Sequence, residues 1–210
     1  MSCPLCQGVA ATLFHRDARR EYWRCDHCAL VFVPPAFYLS PDAEKAEYDK
    51  HENEVNDPAY RRFLSHLATP LLEEMKPRSR VLEFGCGPGP ALASLLSESG
   101  HQVSLYDAFY YPNSAVLTPA SYDVVTATEV IEHLHYPDRE ISAWLTYLVP
   151  EGRLGIMTKT VIDAARFATW HYKNDLTHVC FFSSETFDYI ANKYSLRWRA
   201  VANDAFIFRR

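Results

Sequence analysis

The feature that most constrains this chain is an apolar run that passes directly into a glycine-rich turn, at residues 81–89 (VLEFGCGPG). A strand, a turn and a following helix of this kind open a parallel α/β sheet, in which ligands bind at the carboxyl ends of strands. A P-loop is excluded because no Lys-Ser/Thr pair follows Gly89. A dinucleotide-binding turn fits less well, since the third glycine comes one position early and residue 90 is proline. The carboxylate of Glu83 suits a ligand that carries an amine rather than a pyrophosphate.

From Arg80 onward, short apolar runs alternate with helical patterns, which predicts a parallel βαβ series. The second apolar run ends at Asp107, where a carboxylate can accept hydrogen bonds from both ribose hydroxyls. Residues 196–208 predict a terminal β-hairpin. Upstream, Asp57 predicts the N-cap of a helix that Pro70 kinks or splits.

The N-terminal segment is marked by two C-x-x-C pairs within the first 28 residues. The four cysteines are Cys3, Cys6, Cys25 and Cys28. This spacing is typical of a zinc ribbon, whose structural site uses four thiolates and leaves no position for catalysis. The alternatives, a two-disulfide knot or a redox C-x-x-C, are disfavoured because no secretory leader is recognised. We therefore predict a zinc ribbon at 1–35, a connector at 36–56 and an α/β domain at 57–210.

Composition limits the kind of protein further. Hydrophobic residues make up 48% of the 210 and charged residues 22%, which predicts a folded domain rather than a disordered chain. No run of about 18 apolar residues occurs, so we expect no membrane span, and we expect a cytoplasmic protein. The formal net charge of −5 argues against broad, sequence-independent binding of nucleic acid.

Four motifs, in order, resemble those of the class I S-adenosylmethionine (SAM)-dependent methyltransferases over residues 57–210. They are the glycine turn, Asp107, the fourth-strand motif at 122–129 (YDVVTATE) and the turn at 149–153 (VPEGR). The resemblance implies a Rossmann-like α/β sheet of seven strands with an antiparallel last strand, preceded here by the ribbon. The chain departs from the family between Asp107 and Asp123, where the family has a third strand and often an acidic residue for the adenine amine.

The same resemblance implies where SAM binds. The residues that it assigns to the cofactor are Glu83, Gly85, Cys86, Gly87, Gly89, Asp107, Thr128 and Glu129. Because the segment after Asp107 is short, we assign adenine recognition to Ala108 and Phe109 beside the ribose acid.

The residues after the fourth-strand motif bear on the reaction. The Asn/Asp-Pro-Pro-aromatic motif of nucleobase amine methyltransferases and the Pro-Cys of cytosine C5 enzymes are both missing at this place. The sequence Glu129-Val-Ile-Glu132-His133 is instead similar to ubiquinone-biosynthesis O-methyltransferases and to small-RNA 3′-terminal 2′-O-methyltransferases. In those families the motif, with a later histidine, can hold a divalent metal. The later histidine here is His178, with His171 as the alternative.

Two interpretations of this motif stay open. In the first, Glu129, Glu132, His133 and His178 surround Mg²⁺ or Mn²⁺, which binds the acceptor oxygen and lowers its pKa. In the second, Glu129 contacts the cofactor, Glu132 and His133 orient the following loop, and His133 and His178 act as acid or base without a metal. Under either interpretation the catalytic candidates are His133, His178 and Glu132.

Residues 170–175 follow the fifth strand, where acceptor-binding loops lie in this fold. Their polar and aromatic mixture suits a cyclic acceptor, and the candidate contacts are Trp170, His171, Tyr172 and Asp175. The alternative is that Trp170 and Tyr172 only pack against the rest of the protein. The leading hypothesis is methylation of a small-molecule hydroxyl. The alternatives are an RNA methyltransferase that docks RNA through the ribbon, and a non-catalytic cofactor-binding adaptor whose ribbon docks a partner protein.

Overall fold

The computed structural model describes residues 1–50 and 54–210. The strands are β1 (Ala11–Arg16), β2 (Glu21–Cys25), β3 (Val31–Phe32), β4 (Arg80–Phe84), β5 (Gln102–Tyr106), β6 (Tyr122–Thr128), β7 (Leu148–Met157), β8 (Cys180–Phe181), β9 (Arg197–Ala200) and β10 (Ala205–Arg209). The α-helices are α1 (Pro41–Tyr48), α2 (Pro58–Glu74), α3 (Ala91–Glu98), α4 (Pro137–Tyr147), α5 (Ala164–Ala168) and α6 (Ser184–Tyr194).

The main sheet has the strand order β5-β4-β6-β7-β10-β9. Strands β5, β4, β6 and β7 pair in parallel, whereas β10 runs antiparallel to β7 and forms the predicted hairpin with β9. The α/β class and the antiparallel last strand are therefore confirmed.

The predicted number of seven strands is wrong, because the part of the chain that the structure describes contributes six to this sheet. Residues 108–121 form a bridge and a short 3-10 turn (Ser114–Val116) instead of a third strand. A parallel crossover needs about a dozen or more residues besides the strand it leads to, and this segment is too short for both. Strand β5 is consequently the edge of the sheet.

Helix α2 covers one face of the main sheet. Its N-cap is Asp57, whose side chain accepts a hydrogen bond from the Ala59 N–H at 2.9 Å, as predicted. Pro70 lies inside the helix and does not split it. The buried face of the helix, which includes Leu67 and Leu71, packs on apolar side chains of the sheet and of α3. Among the described residues, none of the helices combines the length and the apolar character that a membrane crossing requires.

A second, antiparallel sheet contains the N-terminal strands and has the order β1-β2-β3-β8. Its fourth strand, β8, comes from the far end of the chain, with Val31 opposite Phe181 and Phe32 opposite Cys180. The side chains of this sheet share one hydrophobic core with the main sheet and with α4 and α6.

The predicted boundaries at residues 35 and 56 stay predictions. The predicted connector contains α1, which begins after the N-cap Ser40, and its residues 51–53 lie outside the described part of the chain. What the packing shows is that the N-terminal sheet is joined to the rest of the fold by both a strand and buried side chains.

Candidate active site

A cavity of about 730 Å³ opens at the carboxyl ends of β4, β5 and β6. The chain order of the sheet reverses at these strands, which is where open α/β sheets bind their ligands. Twelve of the predicted site residues line this cavity. They are Gly85, Cys86, Gly87, Asp107, Ala108, Thr128, Glu129, His133, His171, Tyr172, Asp175 and His178.

The glycine turn forms one wall of the cavity. Gly85 and Gly87 have φ angles of +71° and +62°, which side chains rarely adopt. A Cβ on Gly85 would lie 2.5 Å from Cγ2 of Val130, whereas a Cβ on Gly87 would have no neighbour within 4 Å. The turn is therefore tight against the protein at Gly85 and open toward the cavity at Gly87, where a ligand can lie against the backbone.

Asp107 joins this wall to the end of β5 by hydrogen bonds. Its Oδ2 accepts a hydrogen bond from the Gly87 N–H at 3.0 Å, and its Oδ1 accepts from the N–H groups of Phe109 at 2.8 Å and Tyr110 at 3.0 Å. A carboxylate has about four acceptor positions, so capacity for a ligand hydroxyl remains. Ala108 lines the cavity, while the partly exposed Phe109 ring lies outside the lining and tilts against the ring of Tyr48.

Two carboxyl groups lie near the ends of β4 and β6; Glu83 is buried and Glu129 is half-buried. Glu83 lies behind the glycine turn and does not line the cavity, and burial raises its pKa to about 8. Glu129 follows β6 with a φ of +53°, and its N–H donates to the Met157 carbonyl at 2.9 Å. Burial, and next the nearby charge of Glu132, raise the pKa of Glu129 to about 9. Both carboxyl groups therefore keep a proton to higher pH than an exposed glutamate does.

Glu132 is fully buried and lies under the cavity floor rather than in its lining. Its Oε1 accepts a hydrogen bond from the hydroxyl of Tyr172, and that hydroxyl is also 3.3 Å from Oγ1 of Thr158. Burial raises the pKa of Glu132 to about 7, although the hydrogen bond from Tyr172 acts in the opposite direction. The hydrogen bond between Tyr172 and Glu132 fixes the position of the Tyr172 ring.

The structure brings His133 and His178 together although they are far apart in the sequence. Their ring centroids are 4.6 Å apart. Nδ1 of His178 lies 2.8 Å from the carbonyl oxygen of Tyr172, and because a carbonyl only accepts, this nitrogen carries a proton. In the neutral ring the lone pair is then on Nε2, which is 3.8 Å from Oδ2 of Asp175. This pair of imidazoles can serve in proton transfer.

Ligand atoms of Glu132, His133 and His178 lie within 4.8 Å of one another, close enough to hold a metal ion. Glu129, the fourth predicted ligand, lies outside this group, and one of its oxygens is 3.4 Å from the hydroxyl of Tyr172. The donor set offered by this group is therefore two imidazole nitrogens and one carboxylate oxygen.

The four N-terminal cysteines form a second group within the same distance limit. The Sγ atoms of Cys3 and Cys28 are 3.5 Å apart, and those of Cys6 and Cys25 are 3.4 Å apart. Tetrahedral zinc with Zn–S bonds of about 2.3 Å places its sulfur ligands about 3.8 Å from each other. All four are free thiols, so the cluster is compatible with a zinc ribbon and contains no disulfide.

Besides Glu83, Phe109 and Glu132, two further predicted site residues lie outside the cavity lining. Gly89 follows the open part of the turn and takes no part in the wall. Trp170 packs between the rings of Phe167, Tyr172 and Phe181, so the alternative of plain packing holds for this residue.

Sequence analysis missed Lys159 in this site. Its Nζ is 3.3 Å from Nε2 of His171 and 5.2 Å from the centroid of the Tyr172 ring. A usable signal was its position two residues after β7, the fourth parallel strand, at the same sheet edge as Asp107 and Thr128. Glu44 and Phe63, which line the far wall, carried no motif that sequence analysis can detect.

The strand order, the glycine turn and the cavity at the switch point together define a class I SAM-dependent methyltransferase fold. Residues 56–200 match the family model described as a methyltransferase domain, and the chain belongs to this family. The protein is therefore a SAM-dependent methyltransferase by its family.

The chain is similar to several solved structures. A 1,6-didemethyltoxoflavin N1-methyltransferase from Burkholderia thailandensis, solved with 1,6-didemethyltoxoflavin and S-adenosylhomocysteine (SAH), is 17% identical with a TM-score of 0.55, and the match covers 96% of this chain and 97% of that one. A SAM-dependent methyltransferase from Aquifex aeolicus is 14% identical with a TM-score of 0.49, covering 81% and 97%. One from Thermotoga maritima is 15% identical with a TM-score of 0.45, covering 71% and 90%. A search of curated proteins gave no match.

Proposed function

We propose that the protein transfers the methyl group of SAM to a hydroxyl group of a small, ring-containing molecule. One observation carries the proposal: a single cavity is lined both by the glycine turn and Asp107 and by His133 and His178. Methyl transfer from a sulfonium is an in-line displacement, so holding the two reactants in line can contribute up to roughly 7–11 kcal/mol.

The cofactor side fits the shape and charge of SAM. The open backbone at Gly87 leaves room for the ligand, and the remaining acceptor capacity of Asp107 suits the ribose hydroxyls. Thr128 and Glu129 face the same space from the end of β6. The bound cofactor would supply the methyl group on a positively charged sulfur, and the residues named here would bind and orient it.

The acceptor side combines aromatic surface with proton-transfer groups. The rings of Tyr48 and Tyr172 contribute apolar surface that suits a cyclic acceptor. In the proposed reaction bound SAM would supply the methyl carbon to the acceptor oxygen and leave as neutral SAH, and His178 or His133 would accept the hydroxyl proton.

We propose that the histidines act without a divalent metal. Mg²⁺ prefers oxygen ligands, whereas the group at Glu132, His133 and His178 offers two nitrogens and one oxygen. In that carboxyl group, Oε1 accepts a hydrogen bond from the hydroxyl of Tyr172, whereas Oε2 has no hydrogen-bond partner among the described residues. The alternative, Mg²⁺ or Mn²⁺ at these three residues, predicts that chelation abolishes turnover.

We propose that Cys3, Cys6, Cys25 and Cys28 hold one structural Zn²⁺. The support is the spacing of the two pairs and the mutual distances of the four sulfur atoms. Free thiols in this arrangement suit a reducing compartment such as the cytoplasm.

The ribbon is a poor platform for RNA, because its arginines are already engaged. Arg16 pairs with Glu21 and Arg24 with Glu185, while Arg19 donates to Asn174. Arg20 is buried. For this reason we favour a small-molecule acceptor over RNA, and the histidine pair in the cavity favours an enzyme over a cofactor-binding adaptor.

The test has two parts. Calorimetric titration is expected to show that SAH and SAM bind, with NAD as the control that does not. Incubation with isotopically labelled SAM and paired hydroxyl and amine versions of the same ring compounds is expected to label the hydroxyl compounds, as read by mass spectrometry. Preferential labelling of the amines would contradict the choice of acceptor atom, and tighter binding of NAD than of SAM would contradict the proposal as a whole.

A further inference from the structure

We infer that the ribbon, residues 1–33, holds the acceptor side of the active site in place, and that Arg20 is the main positioning residue. The segment it holds is the acceptor loop, residues 171–178. The expected effect on acceptor binding rests on the proposed function, whereas the expected effect on the acceptor loop does not.

The acceptor loop carries much of one cavity wall. The side chains of His171, Tyr172, Asp175 and His178 line the cavity. The loop has only a short 3-10 turn (His171–Asn174), and no side chain caps that turn. Most of its backbone carbonyls must therefore find hydrogen-bond donors elsewhere.

Arg20 supplies these donors. Its Nη1 donates to the carbonyl of Leu176 at 3.0 Å, and its Nη2 donates to the carbonyls of Lys173 and Asp175, each at 2.8 Å. Its Nε donates to the hydroxyl of Tyr22 at 3.0 Å. The residue is only 2% exposed, and a planar guanidinium with fixed donors defines the spacing of the three carbonyls.

Two further contacts join the same hairpin turn of the ribbon to the loop. Nζ of Lys173, which is 5% exposed, donates to Oδ2 of Asp17 at 3.0 Å. Arg19 donates to the carbonyl of Asn174 at 3.0 Å and to its side-chain oxygen at 2.8 Å. Asp17 in turn accepts hydrogen bonds from the N–H groups of Arg19 and Arg20, so the turn between β1 and β2 is itself rigid.

The ribbon also fixes the downstream end of the loop. The Val33 N–H donates to the carbonyl of Val179 at 2.9 Å, and β8 then continues the ribbon sheet. The hydrogen bonds of Arg19, Arg20 and Lys173 join only the ribbon and the acceptor loop. The glycine turn is instead held by its hydrogen bond to Asp107. The ribbon therefore holds the acceptor wall, and the cofactor wall has its own support.

The experiment uses the full zinc-loaded chain and compares Arg20→Ala with Arg16→Ala. Arg16 is the matched control because it lies in the same hairpin but pairs with Glu21 on the exposed surface. Hydrogen exchange of the backbone amides in 171–179 is expected to be at least about tenfold faster in R20A, and within about twofold of the parent in R16A. SAH affinity, measured by calorimetry, is expected to stay within about twofold in both variants.

Further variants separate positioning from general damage. R20K keeps the charge but loses the planar fork, and is expected to give loop exchange between those of the parent and R20A. With a hydroxyl acceptor, R20A is expected to raise the acceptor KM by about tenfold while the KM for SAM is unchanged. If R20A does not fold, D17N, which removes the charge opposite Lys173, is measured in its place with the same expectation.

Unchanged exchange in 171–179 for R20A, or for D17N as its replacement, would overturn the inference. An equal rise in 81–98 would also overturn it, because the effect would then be global. Failure of the proposed function is visible separately, since the parent protein would then bind no SAH or label no hydroxyl compound while the exchange result still judges the loop.

Discussion

The carboxylate of Asp107 accepts a hydrogen bond from the backbone N–H of Gly87 at 3.0 Å. The contact joins the end of β5 to the open part of the glycine turn. Its other oxygen holds the N–H groups of residues 109 and 110. A single side chain therefore shapes both loops of the proposed cofactor site, besides offering an acceptor to the ribose.

Replacing Asp107 is expected to weaken the binding of SAH. D107A removes the proposed acceptor for the ribose hydroxyls and also the hydrogen bond from the Gly87 N–H. The binding free energy of SAH is expected to fall by about 1.5–3 kcal/mol, or roughly ten- to a hundredfold in affinity. D107N is expected to lose less, because its amide oxygen can still accept. Calorimetric titration measures both.

The matched control is D123N. Oδ2 of Asp123 also accepts a backbone N–H, that of Arg80 at 2.8 Å, but at the opposite end of the strands. Its SAH affinity is expected to equal that of the parent protein. A silent D107A, or equal losses in D107A and D123N, would show that Asp107 does not bind the cofactor.

Purified protein is expected to contain one tightly bound zinc per chain. C25S is expected to lose that zinc and to lower the midpoint of thermal unfolding of the whole chain, because the ribbon shares its hydrophobic core with the main sheet. Elemental analysis and a thermal scan measure the two effects. C180S, at a buried cysteine outside the cluster, is the control that keeps its zinc. Less than about half an equivalent in metal-replete parent protein would contradict the assignment.

Without ligand, the protein is expected to lose stability as pH rises from about 5 to about 9. In the folded state, burial raises the pKa values of Glu83, Glu129 and Glu132 to about 8, about 9 and about 7 from the ordinary value of 4.5. Between the unfolded and folded pKa values the folded state binds more protons than the unfolded state, so the free energy of unfolding falls with increasing pH. Denaturant titrations at a series of pH values measure this slope.

E83Q isolates one contribution to that slope. Because its amide does not ionise, the fall in unfolding free energy between pH 5 and pH 9 is expected to be smaller than in the parent by on the order of 3–5 kcal/mol. E98Q, at an exposed carboxylate that accepts from Arg61, is expected to keep the parent's slope. Parallel pH profiles for the parent and E83Q would show that Glu83 is ionised in the fold.

The choice between histidine base and divalent metal is testable by chelation. If His178 and His133 act as bases, turnover is expected to survive a mild chelator that leaves the ribbon zinc in place, as monitored by elemental analysis. Loss of turnover that Mg²⁺ or Mn²⁺ restores would instead support a metal at Glu132, His133 and His178.

H178A is expected to lower kcat by about 10²–10⁴-fold while SAH affinity is retained, since in the proposed reaction the imidazole takes the acceptor proton and does not bind the cofactor. H101Q is the control, because His101 precedes β5 at the end of the strand opposite Asp107. Equal turnover in H178A and the parent would remove His178 from the reaction.

The sequence by itself determined the proposed cofactor half of the site. Residues 81–89 and Asp107 are recognisable because their requirements are local: a positive φ at Gly85 and Gly87, and a carboxylate one residue past a strand. The two C-x-x-C pairs are equally local, since each pair needs only one tight turn to present two thiols. Patterns set by neighbouring residues are visible in a single sequence.

Only the tertiary structure decided the acceptor half. His133 and His178 meet because α4, β7 and α5 return the chain to the same sheet edge, and Lys159 joins them without any motif of its own. The sheet stops at six strands because the segment after Asp107 is too short. In the sequence, nothing distinguishes Arg20 from a surface arginine. It is buried because β8 pairs with the ribbon sheet and residues 173–176 then pack on its side chain. Contacts between residues more than 150 positions apart depend on how the sheets pack, and that information is distributed over the whole core rather than carried by any one motif.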